Sequence, residues 1–219
     1  MHAIAPFAGL TEFSKEALEL LRDPSQFKWY TVTLISFVMY VYANEVEREN
    51  WSAVLAGIAL WCADWINEII NGLVLHFTDR SAIWTTTGET SYLILIGLTI
   101  EISFMFLVAG VIFVKSLPKN RSLKILGMPN RWFMVLAFSC FAVIVEVLLN
   151  KTGYFHWDYW WWNTPFVVLI VLFGYGWFFL VAAWVFDMED RRRQVKVVAT
   201  MASMVVAGLL VFGTVLGWI

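Results

Sequence analysis

Charged side chains are scarce in this sequence: Lys, Arg, Asp and Glu make up 15% of its 219 residues. Soluble domains carry about 25% charged residues, whereas 60% of this chain is hydrophobic. The net charge of -2 provides no basic field that would recruit nucleic acid. The composition therefore excludes an ordinary soluble domain and predicts an integral membrane protein with membrane lipids as its surroundings and no nucleic-acid partner.

Cysteine and histidine are also rare. Cys62 and Cys140 lie in separate apolar runs and lack the spacing of a metal site. His76, Asp79 and His156 fall in predicted loops, where they could add ligands for a hard cation that prefers oxygen. We assign no metal ligands from the sequence and leave the cofactor unknown, with a divalent cation as an open alternative.

The chain contains six apolar stretches. A helix needs roughly 20 mostly apolar residues to cross about 30 Å of hydrocarbon. The predicted fold is all-α: a polytopic transmembrane helical bundle of about six spans, forming a single domain over 29–219. The predicted spans lie near 29–44, 51–76, 92–114, 132–149, 165–186 and 197–218.

The first 28 residues differ from the rest. They contain several acids and no apolar h-region, so we expect no cleavable signal peptide. Phe13, Ala17, Leu20 and Leu21 recur at a spacing that places them on one helical face. Segment 1–28 is therefore predicted to carry an amphipathic helix, over 10–22, that lies at the membrane interface without spanning it.

The basic residues concentrate in two connections. Loops 115–131 and 187–196 hold more than half of the 15 Lys and Arg residues. By the positive-inside rule both loops are expected to face the cytoplasm of a multi-pass protein in the cell membrane. Alternation along six spans then places loops 77–91 and 150–164, and both ends of the chain, on the outer side.

The second predicted span carries a polar stripe. Asp64, Asn67, Glu68 and Asn71 follow i, i+3, i+4 and i+7 spacing, which places them on one narrow helix face. Two carboxylates one turn apart in a low dielectric cannot both ionise cheaply. The pair therefore indicates either a carboxyl group that stays protonated and can donate its proton, or two ligands for a cation. A stripe that joins helices through hydrogen bonds is the structural alternative.

Two more acids occur in other spans. Glu101 lies about ten residues into the third predicted span, near mid-membrane by helical rise, and Glu146 lies toward the outer end of the fourth. Ionisable groups inside spans are costly and mark functional sites by default. We predict that Asp64, Glu68, Glu101 and Glu146 line one cavity as catalytic groups, although each could instead pair separately with Asn, Ser or Trp donors.

Aromatic and amide side chains surround these acids along the sequence. The 13 Trp residues are typical of an interfacial belt, and their π faces could also line a path for an apolar or cationic ligand. Gly174 and Gly176 thin the fifth span and make room for a ligand or a neighbouring helix. The predicted substrate-binding residues are Asn67, Asn71, Asn150, Trp61, Trp65, Trp157, Tyr159, Tyr175 and Trp177.

One stretch resembles membrane-embedded carotenoid and terpenoid cyclases and hydratases. It consists of Glu146, Thr152-Gly153, Trp157, Tyr159, and Pro165 with the apolar span that follows it, about 30 residues in all. The run 162–165 is similar to a segment of the membrane-bound fungal meroterpenoid cyclases, whose essential glutamate Glu68 would match. The double-glutamate motif of the small lycopene cyclases is absent. The resemblance implies that a buried, protonated Glu adds a proton to a C=C bond, while aromatic faces stabilise the resulting cation.

The predicted function is an integral membrane enzyme that uses buried carboxylates for acid–base chemistry on an apolar isoprenoid or lipid. Cyclisation, hydration and isomerisation are the candidate reactions. A buried neutral carboxyl is a competent general acid. Two alternatives stay open: a proton or cation transport protein, and a non-catalytic subunit of a membrane complex. A homo-oligomer or partner membrane subunits are compatible with each of them.

Overall fold

The computed structural model describes residues 9–219, and its helices account for most of that stretch. They are α1 (Glu12–Leu20), α2 (Tyr30–Glu47), α3 (Trp51–Thr78), α4 (Ile100–Ser116), α5 (Asn130–Lys151), α6 (Thr164–Phe186) and α7 (Arg191–Val215). A 3₁₀ turn opens α6 at Thr164–Phe166, and wide π turns occupy Ile170–Gly176 in α6 and Leu209–Val215 in α7.

Four of these helices, α3, α5, α6 and α7, are long and apolar enough to cross a membrane. This confirms the predicted helical membrane protein. The remaining two helices of the bundle, α2 and α4, have 18 and 17 residues and run alongside α3 with the same up-and-down alternation. The number of six spans therefore remains a prediction.

Helix α3 is the centre of the bundle and packs against α4, α6 and α7. Its buried face is built from small residues, among them Ala53, Ala56 and Ala59. At Gly57 it meets Gly110 of α4 so closely that a Cβ added to Gly110 would lie 2.8 Å from the Gly57 Cα atom. Helices in lipid gain little from hydrophobic burial and associate through close packing of this kind.

One end of the bundle carries the basic connections. Glu45 pairs with Lys115, joining the α2 and α4 ends, and Arg131 pairs with Asp187 through two 2.8 Å contacts. These contacts bring the turns 48–50, 117–129 and 187–190 to the same end, here called the basic end. The strands β4 (Lys124–Ile125) and β5 (Met128–Pro129) form a short hairpin there.

The opposite end, here called the site end, is built from the loops 79–99 and 152–163. Strand β1 (Trp84–Thr86) pairs antiparallel with β6 (Phe155–Trp157), so that Trp84 lies opposite Trp157. Strands β2 (Leu93–Leu95) and β3 (Leu98–Thr99) form a buried hairpin beside them. The pairing of β1 with β6 ties the loop after α3 to the loop after α5.

The third predicted span is wrong in its first part. Residues 92–99 form the β2–β3 hairpin, and α4 begins only at Ile100, with the Thr99 side chain capping it. Leu93, Leu95 and Leu98 are apolar because they are buried against protein, and a short apolar run cannot by itself be told from a helix segment. Glu101 therefore lies in the first turn of α4, at the site end, and not near mid-membrane.

Helix α1 covers the site end. The predicted amphipathic helix over 10–22 is observed as Glu12–Leu20, with Thr11 as its N-cap. Its apolar face packs on Ala82, Leu93 and Ile96 through the buried Ala17. The apolar face thus meets protein loops, and an interfacial position in the membrane stays a prediction. The part of segment 1–28 before residue 9 lies outside the described residues.

Orientation in the membrane can be tested by labelling single cysteines. With Cys62 and Cys140 replaced, Ser122→Cys at the basic end should react with an impermeant thiol reagent only after the cells are opened, because the positive-inside rule places this loop in the cytoplasm. Glu89→Cys at the site end should react in intact cells, since Glu89 is exposed. The reverse labelling pattern would overturn the orientation.

Candidate buried acid site

Three of the four predicted acids meet between α3, α5 and α6, just beneath the site end. Asp64 and Glu68 are each 3% exposed and Glu146 is 6% exposed. Glu68 is a close neighbour of both Asp64, one helical turn before it, and Glu146 of α5. Tyr175 of α6 lies against Glu146. Within residues 9–219 no Lys, Arg or His forms an ion pair with these acids.

Each of two acids is held by an indole from a loop. Glu68 Oε1 accepts a 2.7 Å hydrogen bond from Trp84 Nε1, and Glu146 Oε1 accepts a 2.8 Å bond from Trp157 Nε1. Trp84 and Trp157 are the two residues that face each other across the β1–β6 pair. One short strand pair therefore sets the position of both carboxyl groups, although the acids belong to different helices.

Asn71 and Gly97 hold Trp84 in place. The Asn71 side chain accepts from the backbone N–H groups of Ile83 (2.7 Å) and Trp84 (3.2 Å), and donates to the Trp84 carbonyl (2.8 Å). A Cβ at Gly97 would lie 2.5 Å from Trp84 Nε1. Only glycine therefore fits beside the indole that binds Glu68. Asn71 acts as a positioning residue and is fully buried.

Aromatic side chains border the acid cluster on the side of α6. Trp162 stacks on Trp84 with ring centroids 5.8 Å apart and an interplanar angle of 27°. Gly174 leaves room for Trp162, since a Cβ there would lie 3.3 Å from its ring. Both Gly174 and Tyr175 belong to the π turn Ile170–Gly176. Wide turns of this kind occur often at functional sites, and here the turn faces Tyr175 toward the acids.

Three buried polar atoms of this region have no hydrogen-bond partner within the described part of the chain: Asp64 Oδ2, Glu68 Oε2 and Trp162 Nε1. Leaving such a group unpaired costs about 1–3 kcal/mol, so each one in a folded protein calls for an explanation. Two acceptors and one donor beside aromatic faces form a site that can exchange a proton with a bound molecule.

Glu101 is placed apart from the other three acids. Its Oε1 accepts a 2.5 Å hydrogen bond from the Ser91 N–H and a bond from the Tyr30 hydroxyl. It therefore joins the start of α2 to the loop before α4. The prediction that Glu101 shares one site with the other three acids is wrong, because its carboxyl group contacts Tyr30 and Ser91 and not the cluster.

The predicted indole and amide ligands divide into two groups. Trp157 contacts the acids as described, and Asn150 supports the same loop by donating to the Phe155 carbonyl at 2.9 Å. Trp61 and Trp65 instead donate to the Ser103 hydroxyl of α4, at 2.8 and 3.2 Å. These two indoles join α3 to α4 and are turned away from Glu146.

The remaining predicted ligands lie around the cluster. Asn67 is half-buried on α3. Tyr159 donates to the Ser81 carbonyl at 3.0 Å and lies beneath the Arg80 guanidinium, so it fastens the loops of the site end. Trp177 packs edge-on against Phe178 with centroids 5.0 Å apart. None of these three residues touches an acid through a hydrogen bond in the described structure.

The loop residues considered as cation ligands serve other contacts. His76 stacks on Trp218 with centroids 4.6 Å apart, and His156 stacks on Phe13 at 3.6 Å. Asp79 ends α3 in a left-handed conformation, with φ of 48°. Among residues 9–219 no group of three or more His, Cys, Asp or Glu side chains is placed to hold a metal ion.

Sequence reasoning missed Trp84, Gly97 and Trp162 as parts of the site. Trp84 is 16 positions from Glu68, in a predicted loop, where a tryptophan is typical of a membrane belt. A single glycine before a helix carries no pattern that would distinguish it. The polar stripe on α3 was the one signal that pointed to Trp84. The buried Asn71 side chain, one turn after Glu68, needs hydrogen-bond partners, and the loop that follows α3 provides them.

The fold and this site define a polytopic helical membrane protein with an uncompensated acidic centre beneath one end. The chain belongs to a family described as an uncharacterized membrane protein family, whose model matches residues 11–214. An uncharacterized protein of Archaeoglobus fulgidus is 47% identical over 209 residues, covering 95% of this chain and 99% of the relative.

A second uncharacterized protein of Archaeoglobus fulgidus is 47% identical over 55 residues, covering 25% of this chain and 98% of the relative. No solved structure matches the chain. The family match supports the membrane character that the resemblance to cyclases implies. None of these matches indicates a reaction such as cyclisation or hydration.

Proposed function

We propose that this protein is an integral membrane enzyme that transfers protons to and from an apolar isoprenoid or lipid, in the manner of a cyclase, hydratase or isomerase. The observation that carries the proposal is the cluster of Asp64, Glu68 and Glu146, buried without a cation and lined by Trp84 and Trp162. A carboxyl that stays neutral in such surroundings is a general acid.

The proposed step uses Glu68 as the proton donor. Its Oε1 accepts the hydrogen bond from Trp84, and its buried Oε2 has no hydrogen-bond partner within the described residues. The proton on Glu68 adds to one carbon of a C=C bond and leaves a carbocation on the other carbon. Aromatic faces stabilise positive charge by roughly 0.5–2 kcal/mol each. An ionised Glu146 or Asp64 then takes the proton of a neighbouring C–H bond. The electron pair of that bond forms the new C=C bond, so no oxidant is needed.

The packing beneath the acids favours an enzyme over a transport protein. Toward the basic end from Asp64, the buried face of α3 consists of Ala63, Cys62, Leu60 and Ala59 and continues with small apolar residues. A proton or cation relay across the bilayer would need ionisable or hydrated groups through this region. The acids instead lie between the middle of α3, where Asp64 is placed, and the site end, which the predicted orientation places in the middle-to-outer half of the cell membrane.

The experiment that tests the proposal is deuterium uptake. Purified protein in lipid nanodiscs is incubated in D₂O with unsaturated isoprenoids, such as geranylgeraniol and squalene, and the extracted lipids are analysed by mass spectrometry. Proton transfer to carbon should place non-exchangeable deuterium in at least one isoprenoid, because the donor carboxyl equilibrates with D₂O.

Glu101→Gln is the matched control, since Glu101 is a half-buried acid of the same bundle that contacts Tyr30 and Ser91 instead of the cluster. It should keep the uptake of the unchanged protein. If deuterium uptake depends on Glu101 but not on Glu68, the proton donor does not lie in the cluster of Asp64, Glu68 and Glu146. No uptake with any isoprenoid, together with co-purification of a second membrane chain in fixed ratio, would favour the non-catalytic subunit.

A further inference from the structure

The hairpin at the basic end holds a leucine away from the protein. Strands β4 and β5 are joined by the two residues Leu126 and Gly127, and Leu126 is 91% exposed. Both residues have positive φ, 51° and 80°. Asn-Gly is the usual sequence for such a turn, and a bulky side chain rarely adopts a positive φ. A leucine in this conformation at the tip of a hairpin indicates a contact with an apolar surrounding.

A buried asparagine fixes the loop that carries the hairpin. Asn130, the first residue of α5, is fully buried. Its side-chain amide donates to the carbonyls of Asn120, Arg121 and Leu123, at 3.0, 3.0 and 2.7 Å. Its backbone N–H donates to the Leu123 carbonyl at 3.1 Å. The loop is therefore held in one shape before anything binds, which lowers the entropy cost of binding at its tip.

The same loop carries positive charge only. Residues 115–131 include five basic side chains and no acidic one. Three of the five pair with Glu45 or Asp187. Lys119 and Lys124 are exposed, and within residues 9–219 they form no ion pair. These two lysines flank the hairpin with charge that suits an anionic surface.

The course of the chain keeps the hairpin close to the bilayer. It leads directly into α5, one of the helices long and apolar enough to cross a membrane. Trp132, in the first turn of α5, is 55% exposed, and tryptophan is enriched where hydrocarbon meets water. Leu126 is four positions before Asn130, so it lies at most about 14 Å from the start of α5. The headgroup layer on each side of a bilayer is about 5–7 Å thick, which places the tip within reach of lipid.

We propose that the β4–β5 hairpin is a binding site for anionic lipid. Leu126 inserts into the apolar boundary beneath the headgroups, and Lys119 and Lys124 contact the phosphate groups. The apolar tip, the two unpaired lysines and the position beside Trp132 favour a lipid surface over a soluble protein partner. The proposal uses no residue of the acid cluster, so it is independent of the proposed function.

A fluorescent label at the tip tests the insertion. With Cys62 and Cys140 replaced, Leu126→Cys is labelled with an environment-sensitive dye, and the protein is placed in phosphatidylglycerol nanodiscs that contain spin-labelled lipid. The dye should emit at a shorter wavelength than in water and be quenched by the spin label. Glu47→Cys is the matched control, because Glu47 is an exposed position at the same end, in an acidic segment. A dye there should emit as in water and be quenched much less.

Two outcomes of this measurement overturn the proposal. Equal quenching at the two labelled positions means that the hairpin has no preferred contact with lipid. A dye at position 126 that emits at a shorter wavelength but is not quenched by the spin-labelled lipid means that protein, such as a second copy of the chain, covers the tip.

The two lysines are tested by the choice of lipid. The double variant Lys119→Gln with Lys124→Gln should lower the preference for phosphatidylglycerol over phosphatidylcholine by about 30-fold, measured from the lipid retained in native mass spectrometry. Each lysine near an anionic membrane contributes about 1 kcal/mol, or about fivefold. Arg80→Gln with Lys151→Gln is the matched control, since it removes two exposed cations at the site end, and it should keep the preference. An equal loss in both double variants, or no loss in the first, overturns the proposal.

Discussion

Replacing Glu68 with glutamine is expected to lower the rate of deuterium uptake by roughly 10²–10⁴-fold, the usual share of general acid–base catalysis. Glutamine keeps the shape of the side chain, and its carbonyl can still accept the hydrogen bond from Trp84 that Glu68 accepts at 2.7 Å. It cannot release a proton from Oε2. The measurement is the initial rate of deuterium uptake, with circular dichroism and thermal unfolding on the same samples.

Glu68→Leu tests the alternative that the acids only join helices. Leucine removes the acceptor and leaves the buried Trp84 N–H unpaired. If the contact is purely structural, Leu should lower the stability by about 0.6–1.7 kcal/mol, in the range for hydrogen bonds between membrane helices, while Gln has little effect. A Gln variant that retains full uptake would exclude Glu68 as the donor, whatever Leu does to the fold.

Replacing Gly110 with alanine is expected to destabilise the bundle by about 1–3 kcal/mol, the usual cost of overpacking. The new Cβ would lie 2.8 Å from the Gly57 Cα atom and 3.0 Å from its carbonyl oxygen. Both are backbone atoms, so the contact can be relieved only if α3 and α4 move apart. Thermal unfolding in detergent, followed by loss of helical signal, measures the effect.

Gly213→Ala is the matched control for Gly110→Ala. Its Cβ would meet only ordinary contacts, at 3.8 Å from Ile219 Cγ1. Both changes replace a glycine inside a helix and so gain helix propensity, up to about 1 kcal/mol. A loss of stability at Gly110 that is absent at Gly213 therefore reports the collision with Gly57. Equal stabilities of the two variants would mean that α3 and α4 are free to separate at no cost.

Membrane character and helical structure could be predicted from the sequence, because both follow from local composition. Runs such as 132–149 and 165–186 match the observed helices α5 and α6 within a few residues. A helix satisfies its own backbone hydrogen bonds, so an apolar run of sufficient length predicts it without knowledge of its neighbours. The polar stripe on α3 is likewise a local pattern, and it located Asp64, Glu68 and Asn71 on one face.

The first residue of α4 could not be predicted from the sequence, and therefore the position of Glu101 could not be predicted either. Residues 92–99 are as apolar as a span, yet they form a hairpin buried under α1. Burial against protein and burial in lipid select the same residue types, so hydrophobicity does not distinguish them.

The sequence by itself determined that this chain folds into apolar helices and that costly acids lie within them, since each property resides in residues near one another along the chain. Only the tertiary structure decided that Glu68 and Glu146 meet, that Trp84 and Trp157 bind them, and that Glu101 stays apart. These contacts depend on how β1 pairs with β6. That pairing joins loops about 70 residues apart, and such an alignment follows from the packing of the whole bundle rather than from local propensity.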